Sequence, residues 1–567
     1  MARIIECVPN YSEGRDKSVI DAIVASIASV KGVKVLNVDP GEATNRTVVT
    51  FVGPPEDVVE AAFRGAAKAK EKIDMRVHHG AHPRSGATDV LPLVPVSEVT
   101  LEECAEMARK LAERLYNELG IPCYCYEAAA YRPERRNLAV CRAGEYEALP
   151  EKMANPERRP DFGEEYNETV ARTGATNVGA RNFLVAVNYN LNTTSTRRAM
   201  AIAFDVREKG RKAREGGSLT GKLLKDENGE QIWIPGTLKG CKAIGWYIDE
   251  YGIAQVSMNI TDIDASPLHV AFEEVSRAAA ARGLRVTGAE IVGLVPKKVL
   301  LDAGKFYLAR QQRSLGISEE EIMKIAVKSM SLDDLKPFDP KEKVIEYLME
   351  DPAEIAAKER LVRMSVKDFA TETASESAAP GGGSVSACMG AFGAALATMV
   401  ANLSAHKRGW DERWKEFSDV AEKGQAVLSE LLALVDEDTA AFNRIMDAFG
   451  LPKGTPEEKA ARAAAIEAAT LYAASVPLKT MEAALKALPL ALEMAQKGNP
   501  ASASDAGVAA LAAVAGIRGA ALNVRINAAG LSDKTPAQPL LARADAILSE
   551  ALTLENQVLE AVNKNIE

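Results

Sequence analysis

The histidines of this chain are concentrated in one short segment. Three of the five histidines in 567 residues, His78, His79 and His82, lie within five positions, and Arg84 and Asp89 follow them closely. An imidazole titrates near neutral pH, so one of these side chains could transfer a proton between reacting nitrogens. The histidines and Asp89 could instead bind a metal, although neither HExxH nor a CxxC zinc spacing occurs. A third interpretation is a polar loop whose histidines only hydrogen-bond the backbone.

A second candidate residue lies on a predicted amphipathic helix far down the chain. Asp438 falls between Val435 and Phe442, in a position that continues the apolar face of this helix. The apolar residues of that face are Leu428, Leu431, Val435, Phe442, Ile445 and Phe449. Burial raises the pKa of a carboxyl group, so Asp438 could hold or exchange a proton near neutral pH. Alternatively, it is a structural polar group bonded to a neighbouring helix.

A glycine-rich turn, Pro380-Gly381-Gly382-Gly383-Ser384, opens a segment without charged side chains that runs from Ser377 to Ala405. The N–H groups of Gly382, Gly383 and Ser384 could bind an anion at a helix start, or the glycines could only permit close packing. The segment is long enough to span a bilayer. Its Ala, Gly and Ser content also suits a tightly packed soluble bundle, and we expect no membrane contact.

The elements around the histidine segment alternate in type. Apolar runs and turn residues predict strand, helix, strand, strand, helix and strand at 3–10, 15–30, 33–38, 47–52, 54–72 and 90–94. This is the split βαβ order, and it recurs between 182 and 295. A helix at 101–119 and a strand at 123–126 extend the first unit. We expect two such units side by side, with a cleft between them that suits a ligand.

Two intervals are predicted to lie outside these units. Residues 142–181 are predicted to connect the units, and their arginines could face an anion or form a solvated linker. Residues 211–239 are predicted to form an exposed hairpin that turns at Glu227-Asn228-Gly229.

Strand patterns end at about Ser318, and the remaining sequence is alanine-rich and helical. Helices are predicted at 411–449, 455–474, 477–497 and 503–526, which indicates an all-α module. The net charge of −10 disfavours a general nucleic-acid binder, because phosphate binding needs a basic face. Seven scattered cysteines and no N-terminal signal pattern predict a reduced, cytoplasmic protein.

Several long motifs resemble known families. The run Glu6-Cys7-Val8-Pro9-Asn10-Tyr11-Ser12-Glu13-Gly14, the segment 78–90 and Arg142-Ala143-Gly144-Glu145-Tyr146-Glu147 resemble the formiminotransferase domain. The runs at 378–384, 438–442, 451–453 and 504–505 resemble the cyclodeaminase and methenyltetrahydrofolate cyclohydrolase family. Their order and extent are similar to the bifunctional formimidoyltransferase-cyclodeaminase family over nearly the whole chain.

The resemblance implies a fold and a domain order. The expected fold class is an α+β half of two ferredoxin-like βαββαβ subdomains, followed by an all-α helical bundle. The expected domains are formiminotransferase subdomains at 1–181 and 182–317, a helical linker at 318–360 and a cyclodeaminase domain at 361–567. A homo-oligomer that uses both domain types is also implied, with a dimerising helical domain and a ring in the animal members.

The resemblance also implies an activity. A formimino group passes from N-formimino-L-glutamate to N5 of tetrahydrofolate, and N10 then closes the ring with loss of ammonia to give 5,10-methenyltetrahydrofolate. Tetrahydrofolate, with or without a polyglutamate tail, is then a substrate, and no metal is expected. Two alternatives stay open: a cyclohydrolase in place of the deaminase, and a folate-binding scaffold without catalysis.

Site residues follow from both sources. By resemblance, His82 is the transferase histidine, Asp438 is the cyclodeaminase acid and base, and the segment Gly163–Gly174 binds folate. The chemistry of transfer agrees, because one imidazole can take the proton of N5 and protonate the departing amine. Asn10 and Asp39 could orient groups or bind substrate, and Arg84 could pair with a carboxylate. The full set of substrate-binding candidates is Asn10, Asp39, His79, Arg84, Gly163, Glu164, Thr173, Gly174, Gly382, Gly383, Ser384 and Asp505.

Overall fold

The chain divides into two compact units. The computed structural model describes residues 3–42, 44–80, 83–217, 221–350 and 352–566. One unit, here called the sheet unit, comprises Met1–Asp302 and Met330–Met349, and the helical unit comprises Ala303–Ser329 and Glu350–Glu567. The finer division at 181, 317 and 360 stays a prediction.

The first half of the sheet unit is built on a seven-stranded mixed sheet. Its elements are β1 (Ile4–Cys7), β2 (Asn10–Tyr11), α1 (Lys17–Ala28), β3 (Lys34–Gly41), β4 (Arg46–Gly53), α2 (Pro55–Lys72), β5 (Thr88–Ser97), α3 (Leu101–Leu119), β6 (Cys123–Glu127), α4 (Leu138–Cys141), α5 (Leu149–Ala154), α6 (Glu168–Thr173) and β7 (Thr176–Ala180). Across the sheet, β3 pairs with β4, β1 and β2 lie between β4 and β5, and β7 lies between β5 and β6. The predicted split βαβ order is therefore present, with β7 and β6 added beyond β5.

Helices α1, α2 and α3 cover one face of this sheet. Val49, Phe51 and Leu91 are fully buried in the core on that side. Helix α3 has the bounds that the sequence predicts, because Thr100 and Glu103 form a capping box at its start and Gly120, at φ 68°, ends it. On the opposite face, Tyr124 and Tyr126 of β6 pack in a smaller buried cluster with Leu149 of α5.

The interval 142–181 is more than a connector. It contributes β7, which pairs in parallel with both β5 and β6. The sequence of β7, Thr-Asn-Val-Gly-Ala, has no apolar run, and all five residues are buried. Its strand conformation depends on pairing with β5 and β6, and local sequence patterns carry no information about that pairing.

The second half of the sheet unit has a four-stranded antiparallel sheet. Its elements are β8 (Val185–Leu191), α7 (Thr196–Val206), β9 (Arg211–Lys212), β10 (Trp233–Ile234), β11 (Cys241–Ile248), β12 (Ile253–Ile260), α8 (Leu268–Ala280) and β13 (Val286–Val292). The order β11-β12-β8-β13 is the ferredoxin-like arrangement. Strands β9 and β10 pair separately, so the predicted hairpin at 211–239 is a small two-stranded extension.

The rest of the described chain is helical. Its helices are α9 (Lys297–Arg310), α10 (Glu319–Ser329), α11 (Pro340–Lys343), α12 (Ile345–Met349), α13 (Pro352–Lys358), α14 (Val366–Thr373), α15 (Gly382–Ala405), α16 (Trp414–Phe449), α17 (Pro456–Lys497), α18 (Ala503–Ala529) and α19 (Gln538–Ile566). The core of the helical unit is formed mainly by α15–α19 and contains many alanines. The predicted α+β half followed by an all-α bundle is confirmed.

One predicted helix boundary is wrong. Residues 455–474 and 477–497 belong to a single helix, α17, with Pro477 and Pro489 inside it. A proline removes one backbone hydrogen bond and disfavours helix before it, so sequence alone predicts a break there. Pro477 is buried, and packing on both sides of it keeps the helix continuous.

Two described helical stretches, Gly382–Ala405 and Pro500–Ala529, are long and apolar enough to cross a membrane. Of their most apolar windows, 61% and 56% of the residues are buried inside the protein. Close backbone contact explains their composition: a β-carbon on Gly393 of α15 would lie 2.7 Å from the carbonyl oxygen of Ala509 in α18. Small residues are thus required where these two helices meet.

Candidate active sites

The histidine segment packs on the turn between β3 and β4. His78 is buried, and its Nε2 lies 3.0 Å from the carbonyl oxygen of Asn45. The amide of Asn45 in turn donates to the carbonyl oxygen of His79 at 3.0 Å. Burial lowers the pKa of His78, which favours its neutral form. His79 is exposed, and His82 lies outside the described residues, so its predicted role stays a prediction.

The structure brings Asn10 and Asp39 to one face of the first sheet. Asp39 pairs with Val48, and Val48 pairs on its other side with Asn10. Paired residues on neighbouring strands share a face, and two strand spacings separate the backbones by about 9–10 Å. Val49 points into the helix-covered core, so Asp39 and Asn10 lie on the opposite face.

Glu6 lies on the same face and was not a sequence candidate. Its neighbours Ile5 and Cys7 point into the helix-covered core, and Glu6 is only 4% exposed. Burial raises its pKa to about 7, with Arg181 opposing the shift and Glu346 adding to it. A single charged residue between buried apolar neighbours in a strand is the sequence signal that could have identified it.

Arg84 already has carboxylate partners within the protein. Its guanidinium donates to Glu147 at 2.6 and 3.0 Å and to Glu145 at 3.2 Å. It also reaches the carbonyl oxygen of His78 at 3.3 Å. These bonds lower the pKa of Glu147 and connect the histidine segment to residues 145–147. Pairing of Arg84 with a substrate carboxylate stays a prediction.

Asp89, the second residue of β5, is fully buried and forms an ion pair. Its carboxylate accepts from Arg142 at 2.6 Å and from the backbone N–H of Ser85 at 2.8 Å. Burial raises the pKa of Asp89, and Arg142 opposes the shift. Both carboxylate oxygens are therefore engaged within the protein. Among the described residues, no three His, Cys, Asp or Glu side chains converge as a metal site would require.

The predicted folate segment, Gly163–Gly174, has two ends in different surroundings. At one end, Gly163 adopts φ 123° against Pro122, and Glu164 is exposed. At the other end, the carbonyl of Thr173 accepts from the N–H of Ala87 at 2.7 Å. Gly174 lies against Ser85 so closely that a β-carbon would be 2.3 Å from its carbonyl oxygen. Thr173 and Gly174 thus adjoin the end of the histidine segment, whereas Gly163 lies against Pro122.

In the helical unit, Asp438 lines a cavity of about 170 Å³ at the start of α15. The walls are Ala378, Ala379, Gly381, Gly382, Gly383, Asp438, Thr439, Phe442, Ile445, Ala473, Asn523 and Asn527. Ser384 is fully buried, and its hydroxyl donates to Oδ2 of Asp438 at 3.2 Å. The predicted group Gly382, Gly383, Ser384 and Asp438 is thereby brought together.

The electrostatics of Asp438 suit proton exchange. Burial raises its pKa, and hydrogen bonds from the Ser384 side chain and backbone oppose the shift. Asp438 is half-buried and accessible from the cavity, unlike Asp89. A carboxyl group of raised pKa that is reached from a cavity can accept a proton from a bound ligand and return it.

Asp505 is not part of this cavity. It lies in the first turn of α18, whereas Asn523 of the same helix lines the cavity. Eighteen residues of α-helix separate them, about 27 Å at 1.5 Å per residue. Its predicted substrate-binding role is untested, and it does not adjoin Asp438 within the chain.

Asn523 and Asn527 are cavity residues that the sequence did not identify. Both are half-buried on α18 and face Asp438 across the cavity. Their spacing of four residues on an alanine-rich helix is a helical-face signal, but such a pair is common on solvated helices. Only the packing of α15, α16 and α18 distinguishes them from surface asparagines.

Known families match three parts of the chain. Residues 4–181 match the N-terminal subdomain of the formiminotransferase domain, and residues 186–350 match the formiminotransferase domain. Residues 365–546 match the family described as formiminotransferase-cyclodeaminase. The cavity around Asp438 lies within the third range.

Individual relatives cover the whole chain or one part of it. The chain is 43% identical over 560 residues to the pig (Sus scrofa) formimidoyltransferase-cyclodeaminase, covering 99% of each. It is 42% identical to the glutamate formimidoyltransferase of Streptococcus pyogenes serotype M1, covering 54% of this chain and 94% of that one. It is 41% identical to the methenyltetrahydrofolate cyclohydrolase of Methylorubrum extorquens, covering 36% of this chain and 97% of that one. The chain therefore belongs to the formimidoyltransferase-cyclodeaminase family.

Proposed function

We propose that this protein transfers a formimino group from N-formimino-L-glutamate to tetrahydrofolate and then closes the ring to 5,10-methenyltetrahydrofolate. Family membership over the full length supports both steps. The observation that carries the second step is the cavity of the helical unit, where Asp438 has a raised pKa beside Ser384.

In the first step, N5 of tetrahydrofolate attacks the formimino carbon and loses a proton. The bond from that carbon to the glutamate nitrogen breaks, and the nitrogen leaves as the amine after it gains a proton. We assign both proton transfers to His82, by resemblance. The residues that precede it are held beside β4, because Asn45 is bonded to His78 and His79.

In the second step, N10 attacks the formimino carbon and gives its proton to Asp438. The carboxyl group then protonates the terminal nitrogen, which leaves as ammonia. A protonated formimino group gives methenyltetrahydrofolate, which carries the same single positive charge, and atoms and charge therefore balance. A carboxyl group of raised pKa can serve both transfers.

A cyclohydrolase in the helical unit is the second candidate, and the similarity to the Methylorubrum extorquens enzyme favours it. Mixing the protein with tetrahydrofolate and formiminoglutamate, and following ammonia and methenyltetrahydrofolate absorbance, tests both. We expect both products from the wild type, and accumulation of 5-formiminotetrahydrofolate with Asp438→Asn. A wild type that stalls at that intermediate contradicts the deaminase assignment, and hydrolysis of added methenyltetrahydrofolate would then support the cyclohydrolase.

We also propose that the protein is a homo-oligomer and is cytoplasmic. Exposed apolar side chains on α15 and α18 of the helical unit support self-association: Phe392, Met399, Leu403, Val508 and Leu511. All seven cysteines are free, which supports a reducing compartment. Sedimentation of the wild type and of Phe392→Glu tests the first proposal, and a wild type that sediments as a monomer contradicts it.

A further inference from the structure

The two asparagines of the Asp438 cavity are held in a defined orientation. Nδ2 of Asn523 donates to the carbonyl oxygen of Gly519 at 2.9 Å, and Nδ2 of Asn527 donates to that of Ala473 at 2.7 Å. A backbone carbonyl can only accept a hydrogen bond, so each amide nitrogen must face its carbonyl. Each Oδ1 is thereby fixed as the remaining acceptor. Within the described part of the chain, neither Oδ1 receives a hydrogen bond.

The cavity therefore presents several hydrogen-bond acceptors to a ligand. The carboxylate of Asp438 and the carboxamide oxygens of Asn523 and Asn527 line it, and Phe442 and Ile445 provide apolar walls. A group with several N–H donors and a positive charge is complementary to such a set. A group that carries an oxygen in the same position cannot donate to these three acceptors and is disfavoured there.

We infer that Asn523 and Asn527 bind the terminal nitrogen of the protonated formimino group through their Oδ1 atoms. This inference rests on the function proposed above and adds a specificity rule to it. The formimino nitrogen has two N–H donors while bound to carbon and becomes ammonia when it leaves. Two fixed carboxamide oxygens can hold that nitrogen while Asp438 moves the proton between N10 and the leaving group. The asparagines are positioning residues and transfer no proton themselves.

The test uses the full-length protein with two folates that differ at one atom. In 5-formyltetrahydrofolate, an oxygen replaces the terminal nitrogen of 5-formiminotetrahydrofolate, so it cannot donate to Oδ1. We compare kcat/KM for cyclisation of the formimino compound with the inhibition constant of the formyl compound. In Asn523→Leu and Asn527→Leu, kcat/KM should fall about 10- to 100-fold, whereas the inhibition constant stays constant or decreases. An equal loss for both compounds, or no change for either, overturns the inference.

Control variants separate this role from structural damage. Asn565→Leu removes the same type of bond, from Nδ2 to the carbonyl oxygen of Ala495 at 2.7 Å, away from the cavity, and should leave both constants unchanged. The bond of Asn523 lies within α18, so Asn523→Leu breaks no hydrogen bond between helices and decides the matter if Asn527→Leu unfolds. If the wild type forms no methenyltetrahydrofolate, the proposed function itself is refuted. That outcome is seen with the wild type alone, before any variant is compared.

Discussion

Gly383 and Asp438 approach so closely that a β-carbon on Gly383 would lie 2.0 Å from Oδ1 of the carboxylate. No side chain fits in that space, so the first turn of α15 can meet α16 here only because residue 383 is glycine. The same approach places the hydroxyl of Ser384 within 3.2 Å of Oδ2. The glycine-rich turn thus positions the carboxylate as well as opening the helix.

Gly383→Ala should reduce cyclisation about 100-fold, because a displacement of about 1 Å is enough to cost that much in a positioned reaction. We also expect a loss of about 1–3 kcal/mol in the stability of the helical unit from overpacking. Gly507→Ala is the matched control, since its β-carbon would meet Val562 at an ordinary 3.5 Å. Equal cyclisation rates for Gly383→Ala and the wild type would contradict the assigned geometry.

Asp438→Asn should lower the cyclisation rate by about 100- to 10,000-fold, the usual range for loss of a general acid–base group. In the wild type, the rate should fall as pH decreases through the raised pKa of Asp438, because only the ionised form accepts the N10 proton. The acidic limb of the rate profile should therefore lie above the usual carboxyl range. A profile with its limb near pH 4 argues against a buried carboxyl group as the base.

His82→Ala should lower formimino transfer by about 100- to 10,000-fold and spare cyclisation of added 5-formiminotetrahydrofolate. The two rates are measured separately on the same preparation. His406→Ala is the control, because His406 lies at the end of α15 in the helical unit. Full transferase activity in His82→Ala would exclude it as the proton-transfer residue.

Glu6 should make the stability of the sheet unit depend on pH. Its pKa rises from 4.5 to about 7 on folding, so the folded state binds the proton more tightly. The stability that protonated Glu6 contributes is therefore fully present below pH 4.5, and it is lost as pH rises to about 7. The total loss is about 3 kcal/mol at 1.36 kcal/mol per pKa unit. The free energy of unfolding is measured in urea at pH 4 and pH 8. Glu6→Gln should remove the difference between the two pH values and should be more stable than the wild type at pH 8. The same pH dependence in both proteins would contradict this prediction.

Removal of Arg142 should destabilise the sheet unit more than removal of one partner of an exposed ion pair. Arg142→Met removes the ion-pair partner of the fully buried Asp89, at a cost of about 3–5 kcal/mol. Adding Asp89→Asn should recover part of this loss, because the buried carboxylate without its ion-pair partner is then removed. Glu151→Gln, which breaks the exposed pair with Arg158, should change stability by less than about 1 kcal/mol. Strictly additive effects in the double variant would show that Asp89 and Arg142 are not coupled.

The sequence alone determined those features that depend on neighbours along the chain. The bounds of α3 follow from its capping residues, and the apolar periodicity of α16 puts Asp438 at the cavity wall. The split βαβ order and the helical second half follow from the same periodicities. Local hydrogen bonding and amphipathic spacing carry this information, and both can be seen in a single segment.

Only the tertiary structure decided which distant residues meet. Strand β7 has no local strand pattern and forms because β5 and β6 pair with it on both sides. Asp89 meets Arg142 across 53 positions, and Asn523 and Asn527 reach the Asp438 cavity because small residues let α15 and α18 pack closely. Asp505 lies on the same helix as Asn523 but about 27 Å from it along the axis, at 1.5 Å per residue. Such contacts depend on which elements pack together, a choice made by the whole core rather than by any one segment.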